Sequence, residues 1–225
     1  MPTTLLILLV GYLVLLGLDI TAAYPTKLEP HRLLFKTLTS LGFVTLAAFC
    51  TSQSGAWWFF AWMAPAFLAC LVGDVLLAKA DNHWSDALFT AGVAAFAVAH
   101  LVFLVALSHL APFHAVELIL PAIVAIGALF IDRIHGLDVG KMKPALVPYG
   151  FLVTWLFSKT AVWLIAAGAS TLTILATAGA LLFLTSDALL LFIYFYQTKF
   201  KPMKFLNQAT YYLGMACLAI LLLFV

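Results

Sequence analysis

Eight long apolar runs dominate this chain. A helix needs roughly 20 apolar residues to cross a hydrocarbon core of about 30 Å, and runs near that length recur between polar breaks. The runs are continuously apolar and too long for tilted strands, so we predict helices that satisfy their own backbone hydrogen bonds. The predicted fold is an all-α membrane protein, a bundle of eight transmembrane helices forming a single domain over 1–225. The predicted spans are about 4–24, 33–51, 57–79, 87–108, 113–131, 145–167, 171–197 and 206–225.

The composition excludes ordinary soluble proteins. Hydrophobic residues make up 65% of the chain and charged residues 9%, and the mean hydropathy is +1.14, well outside the soluble range. The formal net charge of +2 is too small to indicate a nucleic-acid partner. The first run has no basic segment before it and no A-x-A-like cleavage site, so we predict a transmembrane helix and not a signal peptide.

The basic residues lie on one side of the predicted bundle. Lys and Arg accumulate in cytoplasmic loops, and the breaks after the first, third, fifth and seventh runs hold nine of the eleven basic residues. The other breaks hold none. We therefore predict both termini on the non-cytoplasmic side of a multi-pass protein in the cell inner (plasma) membrane, with short loops making sequential helices antiparallel neighbours. The nine residues are Lys27, Arg32, Lys79, Arg133, Lys141, Lys143, Lys199, Lys201 and Lys204.

Several ionisable side chains fall inside the predicted spans. Each costs about 2.5–3.5 kcal/mol at the centre of a span on insertion scales, so it needs a partner, a water-filled cavity or a function. At a rise of about 1.5 Å per residue, most of them lie at a similar depth towards the basic loops, as do Tyr149, Tyr211 and Tyr212. One polar cavity opening towards the cytoplasmic side is predicted. The ionisable candidates are Asp19, Lys36, Asp74, His100, Lys159 and Asp187.

Structural explanations are open for several of these groups. Tyrosines near helix ends are typical of the interface, and Lys36 can extend its side chain to the surface while Asp19 caps the helix or pairs with it. His100 can hydrogen-bond to a neighbouring helix. Lys159 lies closer to the opposite half of the membrane and is not placed with the others.

Asp74 and Asp187 are the strongest functional candidates. Each follows a small residue that permits close helix approach, Gly73 or Ser186, and neither has a basic residue one helical turn away. We predict that they act as a pair.

The cysteines do not indicate a metal or disulfide site. Cys50, Cys70 and Cys217 lie in apolar runs without CxxC or Cys/His spacing, and no HExxH motif is present. Buried packing is expected for all three, with no metal and no cofactor.

Four short motifs occur in order along the predicted helices: GDVLL from Gly73, a lone His100, GALLFLTSDALLLF at 179–192, and TYY from Thr210 with Gly214. In this order and spacing they resemble the YhhN-like family of integral membrane proteins, whose characterised animal members are lysoplasmalogenases. The eight-helix plan extends the resemblance over nearly the whole chain. The resemblance implies that the family's polar positions fall on Asp74, Asp187, Lys36, His100 and Tyr149.

The implied activity is hydrolysis of the vinyl ether bond of a lysoplasmalogen, which gives a fatty aldehyde and glycerophosphoethanolamine or glycerophosphocholine. Protonation of the vinyl β-carbon creates an oxocarbenium ion, water adds, and the hemiacetal collapses. Such a site needs one carboxyl group that stays protonated and another group that stays ionised. Asp74 and Asp187 are predicted to supply these, in either order. The predicted supporting or substrate-binding residues are Lys36, His100, Tyr149, Asp19, Tyr211 and Ser186.

Two other classes of function fit the same residues. Intramembrane charges also build the sites of transporters, for which substrate uptake without chemical change is the distinguishing observation. In a scaffold or lipid-binding protein they only hold helices together, and neutral substitution of the aspartates would then affect stability alone. The expected partners are a lysophospholipid substrate and membrane lipids, and the sequence does not predict an oligomeric state.

Overall fold

Helices account for the regular structure in the part of the chain that the computed structural model describes, namely residues 3–82, 85–198, 200 and 202–225. The prediction of eight helices is confirmed, although Lys199 and Lys201 of the last basic loop lie outside the described residues. The helices are α1 (Thr3–Ala22), α2 (Arg32–Ser54), α3 (Trp57–Asn82), α4 (Asp86–Ser108), α5 (Ile119–Leu129), α6 (Lys143–Ala167), α7 (Thr171–Phe195) and α8 (Pro202–Ile220).

Seven of these helices are long and apolar enough to cross a membrane. Their outward side chains are apolar as well, with Ile7, Leu101 and Ile165 among the exposed ones. A multi-pass membrane protein has this inverted surface, because lipid replaces water around it. The side of the membrane on which the termini lie stays a prediction.

Helix α5 corrects the prediction of an eighth span at 113–131. It has 11 residues, which cover about 16 Å at 1.5 Å per residue, well short of a bilayer core. The first residues of the predicted run form a cap instead: Glu117 accepts a hydrogen bond from the backbone nitrogen of His114, the residue that precedes a short 3-10 turn, Ala115–Leu118. The turn leads directly into α5, so the helical part of the predicted run covers only Ala115–Leu129.

Six helices form a closed ring. In the order α2, α3, α4, α6, α7 and α8, each packs against the next, and α8 packs against α2. Helix α1 lies outside the ring against α2 and α8, and α5 lies outside it against α6. The predicted antiparallel pairing of sequential helices therefore fails between α4 and α5, and α3 and α7 face each other from opposite sides of the ring.

Aromatic side chains fill part of the ring interior. Phe43, Phe67 and Phe103 are fully buried, and the Phe67 ring centroid lies 5.9 Å from that of Phe43 and 5.3 Å from that of Phe103. Gly73 permits the close helix approach that the sequence predicted, and the structure shows that the neighbour is α4, since a Cβ at Gly73 would come within 2.8 Å of the Phe96 ring. The polar groups enclosed by the six helices thus lie among rigid aromatic side chains and closely packed backbones.

Candidate functional site

Asp74 of α3 is the centre of one buried polar cluster. Its Oδ1 atom lies 3.1 Å from the Nζ atom of Lys36. Its Oδ2 atom accepts hydrogen bonds from Ser40 Oγ at 2.7 Å and from Tyr211 OH at 2.8 Å. In all three contacts Asp74 is the acceptor, so the arrangement suits a carboxylate.

This cluster joins four helices. The Lys36 ammonium lies 5.8 Å from the ring centroid of Tyr211 and 5.3 Å from that of Tyr212, within cation–π range. The hydroxyls of Ser40 and Tyr212 are 3.2 Å apart, and Tyr12 of α1 donates to the backbone oxygen of Tyr212 at 2.6 Å. The sequence prediction included Lys36 and Tyr211 and missed Ser40, which lies one helical turn after Lys36 on the same face of α2.

Asp187 of α7 belongs to a second cluster with His100 of α4. The Nδ1 atom of His100 lies 2.7 Å from the backbone oxygen of Phe96, and because a carbonyl oxygen only accepts, Nδ1 carries a hydrogen. The Nε2 atom lies 3.5 Å from Asp187 Oδ2. Both atoms are buried, and neither has a hydrogen-bond partner among the described residues. The two facing atoms can share one proton, which makes them a candidate proton site.

A cavity of about 450 Å³ opens beside Asp187. Residues of α4, α5, α6 and α7 line it, and nearly all are apolar; Asp187 and Tyr149 are among the few polar ones. The Tyr149 ring also packs edge-on against His100, with centroids 5.8 Å apart. The cavity extends from this polar group towards Phe89 and Phe195, at the end of the bundle where α4 begins and α7 ends. Its volume is typical of a small-molecule site, which usually measures about 300–1,000 Å³.

The two aspartates lie in separate clusters. Aromatic side chains lie between the two clusters. The ring centroid of Tyr211 lies 5.3 Å from that of Phe183, and the centroid of Phe183 lies 4.4 Å from that of His100. No hydrogen bond joins the two carboxyl groups in the described structure. Of the two aspartates only Asp187 is among the residues that line the cavity described above, so the single polar cavity shared by both stays a prediction. Joint action of Asp74 and Asp187 stays a prediction.

Asp19 and Ser186 contact helix α8. Asp19, which is fully buried, accepts a hydrogen bond from Gln208 Nε2 at 3.2 Å. It also interacts electrostatically with Lys36, the pairing that the sequence had left open. Ser186 Oγ accepts from Asn207 Nδ2 at 2.9 Å. Both contacts hold α8 in place beside the two clusters.

Lys159 lies apart from both clusters, as the sequence predicted. Its Nζ atom is 3.5 Å from Glu117 Oε1 and donates to the backbone oxygen of Ala111 at 3.2 Å. The indole of Trp155 donates to Glu117 Oε2 at 3.2 Å. This ion pair is only 2% and 1% exposed and connects the start of α5 to α6. Sequence reasoning missed Glu117 because it lay within a run assigned as a span.

The three cysteines are free thiols. Cys50 and Cys70 are buried as expected, but Cys217 is partly exposed, so its predicted burial is corrected. Within the described ranges, no three His, Cys, Asp or Glu side chains gather in a group able to hold a metal ion.

A ring of apolar helices that encloses two buried polar clusters and borders an apolar cavity defines a polytopic membrane protein with an intramembrane polar site. The family model described as the YhhN family matches residues 31–222. The chain belongs to the YhhN family. No curated protein and no solved structure matches it.

Proposed function

We propose that this protein is a membrane-embedded hydrolase that cleaves the vinyl ether bond of lysoplasmalogens. The products are a fatty aldehyde and glycerophosphoethanolamine or glycerophosphocholine. The observation that carries the proposal is the Asp187–His100 pair, which has one position for a proton at the wall of an apolar cavity. Membership of the YhhN family supports the same conclusion.

Asp187 is the proposed acid. In its protonated form it transfers the proton to the vinyl β-carbon, and the resulting oxocarbenium ion forms next to the new carboxylate, which stabilises it. Water then bonds to the cationic carbon and gives a proton back to the Asp187–His100 pair. Collapse of the hemiacetal breaks the bond between its carbon and the glycerol oxygen. That oxygen takes a proton from the Asp187–His100 pair, and the hemiacetal hydroxyl gives its own proton back to the pair as the aldehyde forms.

Asp74 and the remaining predicted residues support this centre. Asp74 is proposed to stay ionised, because it accepts from Lys36, Ser40 and Tyr211 at once. In that state it holds Tyr211 against Phe183, the ring that packs on His100. Tyr149 is proposed to orient His100 and the substrate from the cavity wall.

Aldehyde release from a lysoplasmenylethanolamine by the purified protein tests the proposal. Asp187→Asn keeps the size of the side chain and removes the acid, so we expect activity to fall by about 10²–10⁴-fold, the usual contribution of general acid catalysis. Asp74→Asn is expected to reduce activity as well. Asp138→Asn, in the exposed loop before α6, is the matched control and should retain full activity. Activity close to wild type in both Asp187→Asn and Asp74→Asn would remove the proposal.

A transporter is the second candidate. The buried Lys36–Asp74 pair between α2 and α3 favours it, since intramembrane ion pairs also mark transport pathways. Proteoliposomes to which candidate lipids or solutes are added from outside decide between the two: uptake of an unaltered substrate indicates transport. Mass spectrometry of lipids before and after incubation with the protein detects cleavage of any ether or ester lipid.

A further inference from the structure

The large cavity beside Asp187 opens through the side of the bundle. Three of the residues that line it are exposed on the outer surface of the protein: Gly127 of α5, Ala188 of α7, and Ile134 in the segment that follows α5. The other lining residues are buried or half-buried. A residue that lines a cavity and is also exposed lies on the rim of its opening. The opening is therefore between α5 and α7.

The helices on either side of this opening do not close it. Both α5 and α7 pack against α6, and no comparable packing joins α5 to α7 in the described ranges. The rim also carries small residues, since a Cβ at Gly127 would meet no atom within 4 Å and Ala188 has only a methyl group. The gap between the two helices is therefore bounded by backbone and short side chains, which leaves room for a slender ligand.

Aromatic rings cover the end of the cavity. The ring centroid of Phe89 lies 4.6 Å from that of Tyr194 and 6.0 Å from that of Phe195, so three rings meet where α4 begins and α7 ends. The segment between α5 and α6 is also tied to this end of α7, since the backbone nitrogen of Asp138 donates to the backbone oxygen of Phe195 at 3.0 Å. The side of the bundle is therefore the more open route into the cavity.

The surface around the opening is apolar. Ile123 and Ile126 of α5 and Leu181 of α7 are exposed, and exposed apolar side chains on membrane helices face lipid. Ala188 directly follows Asp187 in the sequence and lies about 10 Å from the end of α7 at a rise of 1.5 Å per residue. The opening thus faces hydrocarbon at the depth of the carboxyl group that we propose as the acid.

We propose that the opening between α5 and α7 is a lateral portal, through which the hydrocarbon chain of a single-chain membrane lipid enters the cavity without leaving the bilayer. The occupant is a lipid chain because the apolar rim continues into the cavity, where no lining residue is basic and Asp187 is the only acidic one. A chain that passes directly from hydrocarbon into the cavity avoids the cost of exposure to water. This inference rests on the proposed function for its ligand class and adds the route by which the ligand arrives.

Binding kinetics of a lipid without a vinyl ether test the portal separately from catalysis. Tritiated 1-acyl lysophosphatidylethanolamine is added to the purified full chain in nanodiscs, and its association and dissociation are followed by scintillation proximity. Gly127→Trp fills the rim, so we expect both rates to fall about tenfold or more while the dissociation constant changes less than about threefold, because a barrier on the path leaves the bound state as it was. A side chain that only disturbed the cavity would change the dissociation constant instead.

Each rim variant has a matched control on another helix. Gly11 of α1 is also exposed, and a Cβ there meets no atom within 4 Å, so Gly11→Trp should bind and release the lipid at wild-type rates. Ala188→Leu narrows the opposite side of the rim and should slow both rates, whereas Ala61→Leu, on the exposed face of α3, should not. If Gly127→Trp does not fold, the comparison of Ala188→Leu with Ala61→Leu decides.

Wild-type rates in both Gly127→Trp and Ala188→Leu would overturn the portal, and so would the absence of lipid binding by the wild-type protein. Entry past the rings at the end of the cavity predicts the reverse pattern, in which Phe89→Leu accelerates binding and the rim variants leave it unchanged. Unchanged binding rates in the rim variants of a protein that releases aldehyde reject the portal alone. Slowed binding in the rim variants of a protein that releases no aldehyde rejects the proposed reaction alone.

Discussion

The hydrogen on His100 Nδ1 determines how its ring serves Asp187. Since that hydrogen is engaged with the Phe96 carbonyl, the Nε2 atom faces the carboxyl group either as an acceptor or, in the charged ring, as a donor. Asp74 differs from Asp187 because donors occupy both of its oxygens. The two aspartates therefore differ in their hydrogen-bonding partners. This difference comes from their neighbours in the fold and not from their positions in the sequence.

Breaking the Lys36–Asp74 pair should destabilise the protein strongly. Lys36→Met leaves a buried carboxylate without its cation, and loss of one partner of a buried pair usually costs about 3–5 kcal/mol of unfolding free energy. The double variant Lys36→Met with Asp74→Leu removes both charges and should be less destabilised than the sum of the single variants. Denaturation in micelles, followed by tryptophan fluorescence, measures this.

Lys27→Met, in the exposed α1–α2 loop, is the control for loss of a lysine and should unfold like the wild type. If the effects of the two single variants add to within about 0.5 kcal/mol, the pair is not coupled and this account of the cluster is wrong.

At the scale of the helices, α5 is held to α6 at both ends by ion pairs. The pair at its start, Glu117–Lys159, is buried and also binds the Trp155 indole. The pair just beyond its end, Asp132–Lys143, is solvent-exposed, with 55% and 34% of the two side chains accessible. The two ion pairs should therefore contribute different amounts to the free energy of unfolding.

Truncation of the two acidic residues should show this difference. Glu117→Ala leaves the Lys159 ammonium and the Trp155 indole buried without a partner, so we expect a loss of about 3–5 kcal/mol. Asp132→Ala removes an exposed pair, for which the usual contribution is about 0–1 kcal/mol. Unfolding of the two variants under identical conditions gives the comparison, and similar losses in both would show that the buried pair does not anchor α5.

Over the whole molecule, the spans were predictable and the lateral arrangement was not. Bilayer thickness sets the length of each apolar run, so seven spans could be recognised in the sequence. The rise per residue also gave the depth of Asp74 and Asp187 along their helices, but not their direction within the ring. Depth alone therefore predicted one shared polar cavity, whereas of the two aspartates only Asp187 lines the large cavity. The partners Ser40 and Gln208 carry no charge, so nothing in the apolar pattern singled them out.

The large cavity depends on four helices at once, and a change in its volume should alter the choice of lipid. A Cβ on Gly150 of α6 meets only Val124 at 3.5 Å, so Gly150→Leu can be accommodated with its side chain in the cavity. For long-chain lysoplasmalogens we expect KM to rise about tenfold or more, since pocket size discriminates by roughly 10–200-fold per methylene. Short-chain substrates should be less affected, and kcat should change little.

Gly17→Leu in α1 is the matched control, because nothing lies within 4 Å of a Cβ at that position. Its kinetics should equal those of the wild type for every chain length. A Gly150→Leu variant that binds long and short chains as the wild type does would show that the lipid chain lies elsewhere.

The position of α5 outside the ring has a consequence for how this protein diversifies. Val124, Gly127 and Ala128 of α5 line the cavity, yet α5 contributes nothing to the closure of the ring. Mutations along this helix can reshape the space offered to a ligand while the six-helix frame and both polar clusters keep their contacts. Tolerance to mutation and control of ligand shape thus coincide in one short helix, which makes α5 the natural place to begin a directed-evolution library for altered substrate range.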